Sequence, residues 1–260
     1  MKIRNFFLLA VLMLLSTASA SAQMGISVSP PRVYFTGDKG QTDVKEVLIT
    51  NVSETHTMEL AFSLGDWEYD VYGENRMFQP DTLSNSCAAW VTIEGSPYLS
   101  LKPKESHTIH VSITVPADLQ SDQPAHTAML YVTQMNPADD VNTQGANIKV
   151  SVQSGIKLFH RDSSPRRPQI EITNMKFDKE MKVLQLEFNN EGNIWVNGEV
   201  NTYLLNQSTG EESTLPNSYF YTMPGDRRIM YLPLPEEFEK AKYTATVMLD
   251  YGDSENMEAA

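Results

Sequence analysis

The five histidines and the single cysteine are the side chains best suited to metal binding or nucleophilic chemistry, and their spacing argues against both. His107 and His110 stand three apart in a strand-like run, so they point to opposite faces and cannot share one ion. His56, His126 and His160 are isolated along the chain. Cys87 has no histidine in a recognisable local signature, reads as a buried thiol, and as the sole cysteine can close no intramolecular disulfide. The acidic pairs Asp139-Asp140 and Glu211-Glu212 fall in turn-like stretches and read as solvated loop charge. A glycine-rich phosphate loop, a G-x-S-x-G elbow and an H-E-x-x-H motif are all missing, so no catalytic, metal or cofactor site is expected. The segment that does carry chemistry is Ile148 to Arg161, IKVSVQSGIKLFHR. Every second residue, Ile148, Val150, Val152, Ser154, Ile156 and Leu158, falls on one face, and Lys149, Ser151, Gln153, Gly155 and Lys157 fall on the other. An apolar row on a sheet edge is an aggregation hazard unless a partner covers it.

The elements that must position this segment are strands. Apolar residues recur at spacing two in short runs bounded by Gly, Pro, Asn and Asp, from Val44 to Thr50 through Ile148 to Leu158, then again from Ile170 to Phe177 through Tyr243 to Leu249. Regularly spaced short strands predict an all-β chain of two sandwiches. The prolines and polar residues of Asp162-Ser163-Ser164-Pro165-Arg166-Arg167-Pro168 interrupt the pattern and predict a short hinge, with one domain over 23–160 and another over 161–260. Ahead of them, Met1 to Ala22 has Lys2 and Arg4, the apolar run Phe6 to Leu15 and the ending Ala20-Ser21-Ala22, the order of a cleaved secretory signal. That run is far short of the ~20 residues of a membrane span, so export without membrane insertion is expected. Loss of Lys2 and Arg4 takes the formal net charge from −13 to −15, which argues against a nucleic-acid partner.

Three stretches together resemble the PapD-like periplasmic chaperones of chaperone-usher pili. Ile156-Lys157-Leu158-Phe159-His160-Arg161 differs in one position from that family's I-K-L-F-Y-R; Arg32-Val33-Tyr34-Phe35-Thr36-Gly37 is similar to its R-x-x-F-x-G; Asp250-Tyr251-Gly252 is similar to its D-Y-G. The resemblance implies two immunoglobulin-like domains, a periplasmic location, and pilus or fimbrial subunits and an outer-membrane usher as partners. It implies donor-strand complementation, in which the chaperone lends a strand to a subunit that lacks its own last one. Ile148, Val150, Val152 and Ile156 would belong to the lent strand. Arg32 and Lys157 would hold the client's terminal carboxylate, and Arg161 and Asp250 would form an interdomain charge pair.

The chain also departs from that pattern. No Glu stands at Ala125-His126-Thr127, where the family's charge cluster has one, and Asp66 to Ala89, rich in Tyr, Asn and Asp, is a section that short members lack. The sequence ends soon after Tyr251, so the second domain is expected either to be short of its last strand or to complete its sheet otherwise. The rival reading is a secreted immunoglobulin-like adhesion or envelope scaffold protein, which would make the match at Arg32 and Lys157 accidental.

Overall fold

The computed structural model describes residues 25–121, 123–141, 147–235, 241–251 and 257–259, with the backbone alone for 138–141, 147–148 and 257–259. The segment Met1 to Ala22, read as a secretory signal, lies outside the described residues. The chain is all-β, as the period-two alternation predicts, and it forms two sandwiches. The first contains β1 (Ile26–Ser29), β2 (Arg32–Thr36), β3 (Thr42–Asn51), β4 (Met58–Tyr69), β5 (Asn75–Phe78), β6 (Val91–Ile93), β7 (Tyr98–Leu101), β8 (Ser106–Thr114), β9 (Ala125–Gln134), β10 (Ala138–Val141), β11 (Asn147–Val150) and β12 (Gln153–Arg161). One sheet runs β1-β3-β8-β6 and the facing one β2-β12-β9-β4-β5, with β7 also on β4. Val33, Phe35, Val47, Ile49, Leu130 and Leu158 are among the residues that fill the space between them.

The second sandwich contains β13 (Ile170–Asp178), β14 (Val183–Asn190), β15 (Val196–Asn206), β16 (Glu212–Thr214), β17 (Ser218–Thr222), β18 (Arg227–Pro233), β19 (Tyr243–Tyr251) and β20 (Met257–Ala259). Sheet β13-β14-β18 faces β16-β15-β19-β20, with β17 also on β15, over a core that includes Leu186, Phe188, Val200 and Val247. Tyr251 is buried in that core and its hydroxyl accepts a hydrogen bond from the Ile170 amide at 3.1 Å. The three residues of β20 pair with Met248 to Asp250, extending the sheet beyond β19. Among the described residues no helix is long and apolar enough to cross a membrane.

Two hairpins leave the body of the first sandwich. The Asp66 to Ala89 section begins as the end of β4, where Asp66 to Tyr69 pair with Phe78 to Asn75 of β5. Its turn is closed by Asp70, whose Oδ1 accepts from the Tyr72 and Glu74 amides at 2.9 and 3.0 Å, and by Gly73 at φ +91. The positive φ favours glycine there, and a Cβ would also lie 2.9 Å from the Arg228 guanidinium and press on it. The return is held by buried Asp66, which accepts from the Thr82 and Leu83 amides and the Ser86 hydroxyl. The second hairpin is the two-stranded ribbon β10–β11, which among the described residues pairs with no other strand.

Candidate functional site

Strand β12 has two unlike ends. From Lys157 to Arg161 it is laddered on both sides, antiparallel to β9 and parallel to Arg32 to Thr36 of β2. From Gln153 to Ile156 it is laddered to β9 alone, and β11 upstream to β10 alone. Among the described residues, Asn147 to Ile156 therefore presents one open edge, apart from the Ser154 hydroxyl donating to the Ile26 carbonyl at 3.4 Å.

The segment expected as one strand from Ile148 to Leu158 is interrupted at Ser151 and Val152. There Gln134 replaces the regular ladder: its amide donates to the Val152 carbonyl at 2.9 Å, its carbonyl accepts from the Ser151 hydroxyl at 2.7 Å, and its side-chain oxygen accepts from the Val152 amide at 3.3 Å. Pro137, between β9 and β10, has no N–H to continue the ladder. The alternation survives the break. Lys149, Ser151, Gln153 and Gly155 are exposed, Val150, Val152 and Ser154 are half-buried, and Ile156 and Leu158 are buried. Ile156, expected among the lent side chains, is instead 0% exposed in the first sandwich's own core and is not free to be lent. The side chain of Ile148 lies outside the described residues.

The outer face of β12 looks into the cleft between the sandwiches. The parallel register places Lys157 beside Arg32, so positions 125 residues apart become neighbours. Each cation rests on aromatic rings. Lys157 Nζ lies 3.9 Å from the Trp67 ring centroid and 4.1 Å from that of Tyr69, and donates to Asn75 Oδ1 at 2.6 Å. The Arg32 guanidinium lies 4.2 Å from the Tyr221 ring centroid. A third cation, Arg228 of β18, lies over Tyr69 at 4.8 Å. Burial, reinforced by Arg32 and Arg228, pushes the Lys157 ammonium down to about 7. Two arginines that depress the charged form of a neighbouring lysine are a setting that favours an anion.

The junction is apolar and clasped, and its clasp differs from the expected one. Trp67, Ala125, Met129 and Phe159 of the first sandwich pack with Met223 and Trp195 of the second. Arg228, only 4% exposed, donates to the Asp70 carbonyl at 2.6 Å and to the Tyr221 carbonyl, and the Ile229 amide donates to the Val71 carbonyl at 2.7 Å. Tyr72 stacks on Tyr231 with centroids 6.1 Å apart. The β4–β5 hairpin thus reaches across to the second sandwich. Arg161 and Asp250, expected to pair across the junction, share no hydrogen bond or ion pair: Arg161 donates to the adjacent Asp162 carbonyl at 3.0 Å, and Asp250 is exposed on β19 opposite Glu199. The hinge is tied at both ends, by Asp38 accepting from Ser163 and by Asn193 accepting from the Arg167 amide at 2.7 Å.

His126 and His160, isolated in sequence, are cross-strand neighbours in β9 and β12, buried beside Trp90 with their ring centroids 5.7 Å apart. Burial, then the neighbouring His160, lowers His126 to about 4. His160 Nε2 meets the Gly37 carbonyl at 2.9 Å. Cys87 is buried and free, its thiol pushed far up by burial. Among the described residues no group of three or more His, Cys, Asp or Glu is placed to hold a metal ion.

No protein-family model matches the sequence, and no curated protein matches it. Solved structures do. The chain is similar to the Escherichia coli chaperone DraB at 15% identity and a TM-score of 0.50, over 91% of this chain and 94% of that one. It is also similar to a chain from the Salmonella enterica SafA pilin in complex with the SafB chaperone, at 10% identity and a TM-score of 0.51, over 93% and 98%. Its fold, two immunoglobulin-like sandwiches, is similar to that of these structures. Within that fold, the open edge of β11–β12 and the cation-lined cleft stand side by side, joined by the few residues from Ile156 to Phe159.

Proposed function

We propose that this chain is a periplasmic chaperone that captures pilus or fimbrial subunits by donor-strand complementation and delivers them, through an outer-membrane usher, for assembly. The observation that carries this reading is an alternating apolar row on a strand with one open edge, rooted beside paired cations. In β-augmentation the main chain of β11 and of β12 up to Gly155 would ladder with the subunit, while Ile148, Val150 and Val152 enter its groove. At roughly 25 cal/mol per Å², three aliphatic side chains contribute on the order of 4 to 8 kcal/mol before ordering costs. Arg32 and Lys157 hold the subunit's terminal carboxylate. Since Lys157 sits at about 7 in the empty cleft, binding of a carboxylate draws a proton onto it, and capture weakens as pH rises through that value. The fold's resemblance to DraB and to the SafA–SafB assembly supports the role, and a tied hinge suits a scaffold that must present both sites at once.

The test is purification from periplasm with identification of what comes along. Small incomplete immunoglobulin-like subunits should accompany the parent and be lost from Val150→Asp, which buries a charge in an apolar groove while leaving the chaperone folded. Lys157→Ala should weaken capture roughly 10- to 150-fold. Equal loss from Gln153→Asp, on the opposite face, would overturn the assignment of the row, and retention of subunits by Val150→Asp would favour an adhesion or scaffold protein.

A further inference from the structure

The acceptor that Lys157 already has is not a client's. Asn75, the exposed first residue of β5, sits opposite Tyr69 in the β4–β5 ladder and brings its amide oxygen 2.6 Å from Lys157 Nζ. Among the described residues it is the one hydrogen-bond acceptor that Lys157 Nζ meets. The other charged groups of the cleft are engaged elsewhere. Arg228 gives its donors to the Asp70 and Tyr221 carbonyls and feels Asp226 and Asp70, while Arg32 rests on Tyr221. A carboxamide oxygen has the shape of a carboxylate oxygen without its charge. It satisfies one ammonium N–H and, among the described residues, leaves Lys157 and Arg32 without a carboxylate counter-charge.

We propose that Asn75 is a self-supplied stand-in for an incoming carboxylate: its amide oxygen holds Lys157 over Trp67 and Tyr69 in the empty cleft and is displaced when a charged chain end binds. This rests on the carboxylate reading of the cleft and assigns a selectivity residue to it. A neutral chain end offers Lys157 nothing better than Asn75 already gives, so it gains little by displacing it. A carboxylate offers the charge that Arg32 and Lys157 lack, and exchange then runs toward the client. The Asp66 to Ala89 section would thereby guard the site against neutral chain ends as well as clasp the second sandwich.

The test compares the parent with Asn75→Ala and Asn75→Asp, using as probes an acetylated dialanine with a free carboxylate and its C-terminal amide. Two quantities are read: probe affinity, and the pH titration of the labelled Lys157 side chain by NMR in the empty protein. Asn75→Ala should tighten binding of the acid about tenfold by removing the competitor. Asn75→Asp should weaken it by about tenfold or more and move the Lys157 titration upward by about one unit or more, because a carboxylate is then permanently in place. If the acid binds all three proteins alike, still better than the amide, and Lys157 titrates alike in each, the stand-in is refuted and the carboxylate anchor survives. If acid and amide bind equally to every protein, the anchor falls and the stand-in falls with it.

Discussion

The two hairpins that leave the first sandwich are built from adjacent strands yet end differently. The β4–β5 hairpin spends its main-chain acceptors on the second sandwich, through Arg228 and the Ile229 amide. The β10–β11 ribbon, among the described residues, pairs only with itself and leaves its outer edges unpaired. Both grow from neighbouring strands of the same sheet, β4–β5 without a break and β10–β11 beyond the interruption at Val152, and they differ in what covers them. A hairpin with partners becomes part of the junction, whereas one without partners keeps hydrogen-bonding capacity that another chain can use.

The sharpest way to break this comparison is to move along the ribbon toward its root. Ile156→Ala should cost about 2 to 5 kcal/mol in chemical denaturation because Ile156 belongs to the core, whereas Val150→Ala should stay within about 1 kcal/mol. Similar losses would mean that the ribbon is part of the core as well. Next in size is the clasp. Arg228→Ala leaves the Asp70 and Tyr221 carbonyls without their donor and should cost about 2 to 4 kcal/mol while widening the interdomain angle seen by small-angle scattering; Arg228→Lys, lacking the fork that reaches both carbonyls, should not restore it. A smaller effect is expected from pH. The fold holds His126 below its unfolded value, so its contribution is complete above about 6.5 and is lost as pH falls toward 4, where the unfolded chain has taken up a proton that the native one refuses. Stability should drop by up to roughly 2 kcal/mol between pH 7 and 5 on this account, and His126→Gln should flatten the slope. The least effect belongs to Arg161 and Asp250. A double-mutant cycle should give additive changes within about 0.5 kcal/mol, and a larger coupling would reinstate the expected pair.

The all-β class was legible because burial on one face writes itself as period two, and Val33, Phe35, Ile156 and Leu158 keep that parity in the structure. The nearness of Arg32 and Lys157 was not contained in their spacing. It entered through the resemblance, and the parallel register of β2 and β12 supplies the physical reason for it. The interruption at Val152 was hidden because the alternation runs through it undisturbed, and only the hydrogen bonds of Gln134 reveal it. The pairing of His126 with His160 depends on which residues of β9 and β12 stand opposite, and neither histidine carries a local mark of that. The role of the Asp66 to Ala89 section was out of reach for a different reason: Arg228 meets carbonyl oxygens, which every residue possesses and no sequence displays.

That last property bears on how such a protein can change. The contacts joining the hairpin turn to Arg228 and Ile229 are made by the carbonyls of Asp70 and Val71, so the side chain at position 71 can drift with little effect on them, provided the turn keeps its shape. One residue added to or removed from the turn would shift both carbonyls out of reach. At position 71 the junction therefore reads length rather than composition, and homologous chains should vary there while holding the turn's residue count, Asp70 and Gly73 nearly fixed.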